Sequence, residues 1–284
     1  MRSNRASATA ILVATGVLYR SRSPDHPIPV APEAAALTEW LLRSYSPQTR
    51  CVHFCLGRRW FHRMMDRLES ATIPGILEHY VRRKEAIAHL AGEWLGSHSA
   101  TLTVLGAGFD TLTLQLIHRM ADLHALEIDH PATQEWKQRA VAALGMECSG
   151  LTFLPEDLST SFPALPKISR FWVAEGLLMY LEEDKVRSLF CAIHECSLPG
   201  SRIAFTFMER QKNGRVDFRQ PSGWVNLWLA QRREPFYWGI ARGDLDAFLA
   251  PLGFRRVDIP GGITQEMDRL NVGEFLALYE VVPL

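Results

Sequence analysis

Between Leu102 and Glu209 the sequence alternates between short apolar runs and longer segments with helical spacing. The run Leu102–Leu105 passes through "GAG" into a helix from about Thr111. "LHALEID" is followed by "ATQEWKQRAVAALG", a helix that stops at Gly145. "LTFLPED" is a strand, and "SRFWVAEGLLMYL" contains a buried strand that leaves into a turn. "EEDKVRSLFCAIHECSLPG" is a helix ending at Pro199-Gly200, and "SRIAFTFME" is another strand. Strands separated by helices imply a mostly parallel α/β sheet with helices on both faces. Near the end, "DLDAFLAPLGF" reads as a helix, and "RRVDIP" and "GEFLALYEVV" as strands.

Residues 1–98 read mostly as helix and form the expected cap on the acceptor side; residues 99–284 form the core. "PEAAALTEWLLRSY" starts at Pro32, and a longer helix after Pro74 turns Ile76, Leu77, Tyr80, Ile87, Leu90 and Trp94 inward. The stretch of about 210–243, with Trp224, Trp228, Phe236, Tyr237 and Trp238, is too long for a simple connection and reads as a helical lid inserted over the sheet. Hydrophobic residues make up 47% of the 284, enough for a substantial core. A formal net charge of +0 does not favour nucleic acid as a partner.

The first residues resemble a weak signal peptide, but Ser7, Thr9 and Thr15 interrupt the apolar run and no clean cleavage site follows. The segment is too short to span a bilayer and reads as an amphipathic helix, so no membrane partner is expected. Five cysteines without a disulfide-framework spacing fit reduced thiols in a cytoplasm. "CVHFC" and "CAIHEC" lack zinc-site spacing, so no metal is expected. The basic stretches "RRKEAIAH" and "RRWFHRMMDR" read as solvated helix faces.

Gly106 and Gly108 stand where the first strand ends. Glycine there lets backbone approach a ligand, although a tight strand-to-helix turn alone would use the same residues. The register of a third dinucleotide-type glycine falls on Thr111, and no phosphate-loop lysine follows, so the turn suits a nucleoside-like ligand without phosphates. Glu127 and Asp129 end the second strand about 20 residues on, where an acid accepts ribose hydroxyls. Asp129 is the better placed, since Glu127 lies deeper on the same face. Asp157 ends the third strand, where it could accept an adenine amino group with Leu158 against the ring.

Together "LGAGFDT", "EIDHPATQEWK", "EDL" and "AEGLLMYL" resemble the leucine carboxyl methyltransferase and polyketide carboxyl methyltransferase family, a branch of the class I S-adenosylmethionine-dependent methyltransferases. The resemblance runs from about Tyr80 to Leu181. It implies a Rossmann-like seven-stranded sheet, a helical N-terminal region, a lid after the fifth strand, and S-adenosyl-L-methionine as cofactor with S-adenosyl-L-homocysteine as product. Carried over by motif, Gly106, Ala107 and Gly108 line the methionine part, Asp129 takes the ribose, and Asp157 and Leu158 hold the adenine. Glu175 sits under the methionine end. An arginine before the first strand binds the cofactor carboxylate, and "YVRRKEA" offers Arg82 and Arg83, with the register favouring Arg83.

No catalytic pair such as His–Asp is evident on any one motif. That agrees with the acceptor the resemblance implies, the carboxylate of a small molecule, which is ionised at neutral pH and needs no base. A phenol or hydroxyl would need one, and His26, His53, His62 and His79 lie in the acceptor-side half. A regulatory member that binds the cofactor without catalysis is the other class to weigh. The two arginines can be separated by exchange, because lysine is a poor substitute for a bidentate guanidinium. Arg83→Lys is expected to lose much of the cofactor affinity by calorimetry while Arg82→Lys keeps it; the reverse pattern would shift the register by one.

Overall fold

The strands are β1 (Thr101–Leu105), β2 (Ala125–Asp129), β3 (Leu151–Pro155), β4 (Arg170–Ala174), β5 (Arg202–Met208), β6 (Phe254–Arg256) and β7 (Glu274–Val281). In this computed structural model, which describes residues 7–23, 27–219, 236–260, 262–270 and 272–284, they form one sheet in the order β3-β2-β1-β4-β5-β7-β6. The first five are parallel, and β7 enters antiparallel between β5 and β6. The order reverses between β1 and β4, the position where open α/β sheets leave a crevice at their carboxyl ends.

Side-chain alternation puts a core on each face of the sheet. Leu102, Val104, Phe171, Val173, Ala204 and Leu278 share one face. Against them pack Ile87, Leu90 and Trp94 of α5 (Ile76–Leu95) and Leu112 and Leu116 of α6 (Leu112–Arg119). Leu105, Trp172, Ala174, Ile203, Phe205 and Tyr279 share the other face. There they meet Val186, Leu189, Phe190 and Ile193 of α8 (Glu183–Glu195). Between β2 and β3 runs α7 (Pro131–Leu144), which opens on Pro131 and closes on Gly145 at φ +60°. That positive φ is cheap for glycine and costly for other residues, so the helix stops where the sequence reading put its end. The strand expected at "RRVDIP" starts one residue earlier. Gly253 turns the chain at φ +82°, and buried Phe254 takes the ladder position opposite Val281.

Four helices precede α5: α1 (Ala8–Ser21), α2 (Pro32–Ser44), α3 (Pro47–Cys55) and α4 (Arg59–Thr72). Their core joins Leu18, Leu42, Leu56 and Phe61 to Ile76, Leu77 and Tyr80 from the first turns of α5. One helix thus serves two cores, the cap with its first half and the sheet with its second. Ser7 caps α1 by accepting from the Ala10 N–H at 3.1 Å, and its own N–H donates to the Thr133 hydroxyl on α7 at 3.2 Å. The first helix is thereby pinned over the carboxyl end of the sheet.

Beneath α7 the Lys137 ammonium meets Glu127 at 2.7 Å, with both side chains 1% exposed, and the Thr113 hydroxyl donates to the same carboxylate. A buried charge without its partner is costly, whereas an apolar replacement of the whole pair is close to neutral. Lys137→Met is expected to lose about 3–5 kcal/mol in urea unfolding. Combining it with Glu127→Leu should restore most of that loss; equal losses in the single and double variants would mean the pair is not its source.

Candidate functional site

The carboxyl ends of β1, β2 and β4 meet in a cavity of about 460 Å³. Gly106 and Gly108 leave β1 at φ +63° and +51°, a backbone shape that a side chain would strain. A Cβ on Gly106 would also lie 3.0 Å from Leu177, and one on Gly108 3.3 Å from Ala10 of α1. Both glycines and Ala107 line the cavity. Asp129 lines it too, one oxygen accepting from the Gly108 N–H and the other from the His130 N–H at 2.5 Å. Burial pushes its carboxyl up, and the two N–H groups oppose that shift. Glu127, two residues back, is buried with Lys137 and is not part of the cavity wall.

The floor is a chain of buried charges. The Arg83 guanidinium reaches Glu175, just past β4, at 2.7 Å and Glu274, at the start of β7, at 2.5 Å. His79 lies 3.0 Å from the same Glu274 oxygen. Lys84 bridges Glu175 at 3.1 Å and Asp110 at 3.3 Å. Burial works to raise Glu274, but Arg83 and His79 outweigh it and bring its carboxyl down to about 2. At Asp110 burial is likewise outweighed, chiefly by Lys84, so that carboxyl is held below its usual range. Arg82 points the other way, to Glu266 at 2.9 Å and Glu85 at 3.2 Å on the outer face.

The sequence-predicted residues Arg83, Gly106, Ala107, Gly108, Asp129 and Glu175 therefore surround one cavity. Asp157 and Leu158 lie one strand further out and are not part of its wall. Asp157 accepts from the Ser159 N–H at 3.0 Å and hydroxyl at 2.6 Å, and Leu158 packs at the rim of the core under α8. The loop that carries them follows Glu156, whose N–H donates to the Asp129 carbonyl at 2.8 Å. Lys84, Asp110 and Glu274 were not anticipated. The visible signals were a third basic residue in "RRK" and an acid heading the apolar run "FLALY".

The rest of the wall is mostly apolar, with Leu12 and Val13 from α1, Met65 from α4, Leu77 from α5, and Phe218 and Phe236 from the expected lid. Trp224 and Trp228 fall outside the described residues. The described flanks of the lid carry isolated bridges, Arg210 to Val216 and Glu209 to Ile240. Of the acceptor-side histidines, His26 is outside the described residues. His62 is buried with Nε2 2.7 Å from the Leu56 carbonyl, His79 is committed to Glu274, and His53 borders Glu39 at 4.0 Å. Among the described residues no histidine lines the cavity, no group of three or more His, Cys, Asp or Glu side chains could hold a metal ion, and no helix is long and apolar enough to cross a membrane.

The model of the leucine carboxyl methyltransferase family matches residues 10–194. A protein of Mycobacterium ulcerans, provisionally named as an S-adenosyl-L-methionine-dependent methyltransferase, is 29% identical over 240 residues, covering 76% of this chain and 71% of that one. A similarly named protein of Mycolicibacterium smegmatis is 38% identical over 96 residues, 31% of each chain. Among solved structures, the 1,6-didemethyltoxoflavin-N1-methyltransferase of Burkholderia thailandensis, with its substrate and S-adenosylhomocysteine bound, aligns with TM-score 0.51 at 14% identity, over 91% of this chain and 93% of that one. A Bordetella parapertussis protein described as a possible exported protein aligns with TM-score 0.56 at 15% identity, over 98% of each. At these identities the structures establish the shared fold.

The charged floor gives a stability signature. The folded carboxyl of Glu274 lies near 2 against an ordinary value of 4.5, so its contribution is complete above about pH 4.5 and disappears as pH falls towards 2. The gap in unfolding free energy between the wild type and Glu274→Gln should therefore shrink by on the order of 2–3 kcal/mol across that window. A gap that stays constant in urea titrations down to pH 2.5 (roughly the lower end of the window) would mean that Glu274 is not held ionised.

Proposed function

The chain belongs to the leucine carboxyl methyltransferase family and is an S-adenosylmethionine-dependent methyltransferase, and on that premise we propose that it methylates oxygen, converting the carboxylate of a small molecule to its methyl ester. The cavity suits the cofactor chemically. It offers a buried guanidinium for a carboxylate, carboxylates for an ammonium and for ribose hydroxyls, and a glycine turn that backbone can present without a Cβ. In this reading Arg83 pairs with the cofactor carboxylate, Glu175 lies under the methionine end beside Gly106, Ala107 and Gly108, and Asp129 takes the ribose. Asp157 and Leu158 take the adenine at the outer strand end. Bound S-adenosylmethionine supplies an electrophilic methyl on a sulfonium, open to in-line displacement.

What the protein must add is position and dryness. Arg83 is already fixed by two carboxylates, so it presents its guanidinium without a search through rotamers. Asp129 is likewise held by two backbone N–H groups. The apolar wall from α1, α4 and α5 keeps water from the acceptor side.

The observation that carries the choice of acceptor is that no histidine among the described residues lines the cavity. Two other ionisable side chains of that wall, Glu69 and Tyr80, are buried. Glu69 accepts from the Leu77 N–H at 3.0 Å and pairs with Arg20 at 3.2 Å, and burial pushes the Tyr80 hydroxyl above its ordinary range. A carboxylate needs no proton removed, whereas a phenol does. The Burkholderia thailandensis enzyme is named for methylation at nitrogen, so the fold alone does not select the atom.

Single-turnover transfer to a carboxylate is expected to stay nearly flat from about pH 6 to 9, since its titration lies well below. A phenol activated by histidine would give a rate that climbs through about 6.5. The product should release methanol in mild alkali. A base-stable methylated product would overturn the carboxylate reading.

A further inference from the structure

The outer face of α4 is divided into two adjacent sectors. Trp60, Met64 and Leu68 recur every fourth residue and are 59%, 47% and 51% exposed, so they make an apolar stripe along the helix. Arg59, Arg63 and Arg67, each one residue earlier, make a parallel row beside it, and all three are exposed. Phe54, at the end of α3, is 71% exposed and has the Arg58 guanidinium 5.3 Å from its ring. Arg50 adds a further exposed cation on α3. The opposite face of α4, with Phe61, His62 and Glu69, is buried in the cap, so the exposed sectors are surplus to folding.

Among the described residues, no carboxylate lies within ion-pairing distance of Arg50, Arg58, Arg59, Arg63 or Arg67, although most other exposed arginines have one. In a chain whose charges sum to +0, this leaves a local concentration of unpaired guanidinium groups next to exposed aromatic and aliphatic side chains. We infer that the α3–α4 face is a docking surface for an anionic lipid bilayer, with Trp60, Met64, Leu68 and Phe54 entering the interface and the arginine row pairing with lipid phosphates.

The two sectors match the layers of such an interface, acyl chains for the stripe and phosphates for the guanidinium row. Position supports the same occupant. Leu68 belongs to the stripe and also lines the cavity, as does Leu12, which is 43% exposed on α1. The apolar cavity therefore opens beside the apolar stripe, and a ligand dissolved in the bilayer could pass from one to the other without crossing water. This contact is peripheral and departs from the sequence-based expectation that no membrane is a partner.

The test is co-sedimentation of the full chain with vesicles of phosphatidylcholine alone and of phosphatidylcholine mixed with phosphatidylglycerol. Binding should be at least about tenfold tighter to the anionic vesicles and should weaken as salt is raised. The triple variant Arg59→Glu, Arg63→Glu, Arg67→Glu should lose that preference, and Trp60→Ser with Met64→Ser should lose binding at either composition. Unchanged urea midpoints would show that both variants fold. No binding by the wild type, or equal binding to the two vesicles, would overturn the inference. So would self-association in sedimentation velocity that the same substitutions abolish while vesicle binding is absent, because a second copy of the chain would then cover the face. The assay uses no methyl transfer, so its failure is separate from any failure of the acceptor assignment.

Discussion

Taking the Arg83 guanidinium out of water is expensive unless carboxylates replace the lost hydration, and Glu175 and Glu274 do so at 2.7 and 2.5 Å. Those partners come from different parts of the sheet, one beyond the end of β4 and the other at the head of antiparallel β7. The guanidinium therefore registers α5 against two strands at once. The same helix supplies Tyr80 to the cap core and Ile87 to the sheet core. A shift of α5 by one turn would strand several buried charges together, so the floor of the cavity and the seating of the cap are one constraint. The charges of the floor hold one another, and Lys84 extends that hold to Asp110 on the glycine turn.

Much of the frame was legible because the signals were local. Strand and helix alternate with their own periods from β1 to β5, and Gly145 marks a helix end, whereas α8 stops at Glu195, before the expected Pro199-Gly200. The glycine turn and Asp129 could be read for the same reason, since each stands at the end of a strand that the pattern fixes. The choice between Arg82 and Arg83 was also present in the helical phase. Arg83 falls in step with Tyr80, Ile87, Leu90 and Trp94, all buried, and Arg82 falls outside that set. Pairings were not legible. Glu274 meets Arg83 from 191 positions away, and nothing local to "GEFLALYEVV" names that partner. Asp157, beyond the end of β3, accepts from Ser159, a contact that the strand pattern does not announce.

The acceptor side resists reading for a different reason. Its wall is assembled from Leu12, Met65, Leu77, Phe218 and Phe236, which belong to separate segments and are individually unremarkable apolar residues. Apolar contact is non-directional, so such a wall sets the size and shape of what enters but does not name an atom. The cofactor side is the opposite case, where each polar group has fixed partners and each partner limits the chemistry. The two sides are nonetheless coupled through α1. Its Ala10 lies against Gly108, and Leu12 and Val13 of the next few residues line the apolar end of the cavity. Whatever seats or displaces that helix acts on the glycine turn and the acceptor wall together. A change at α1 that enlarged the apolar end of the cavity would also loosen the contact over Gly108, so in the proposed reading acceptor range and cofactor grip are set by the same few side chains.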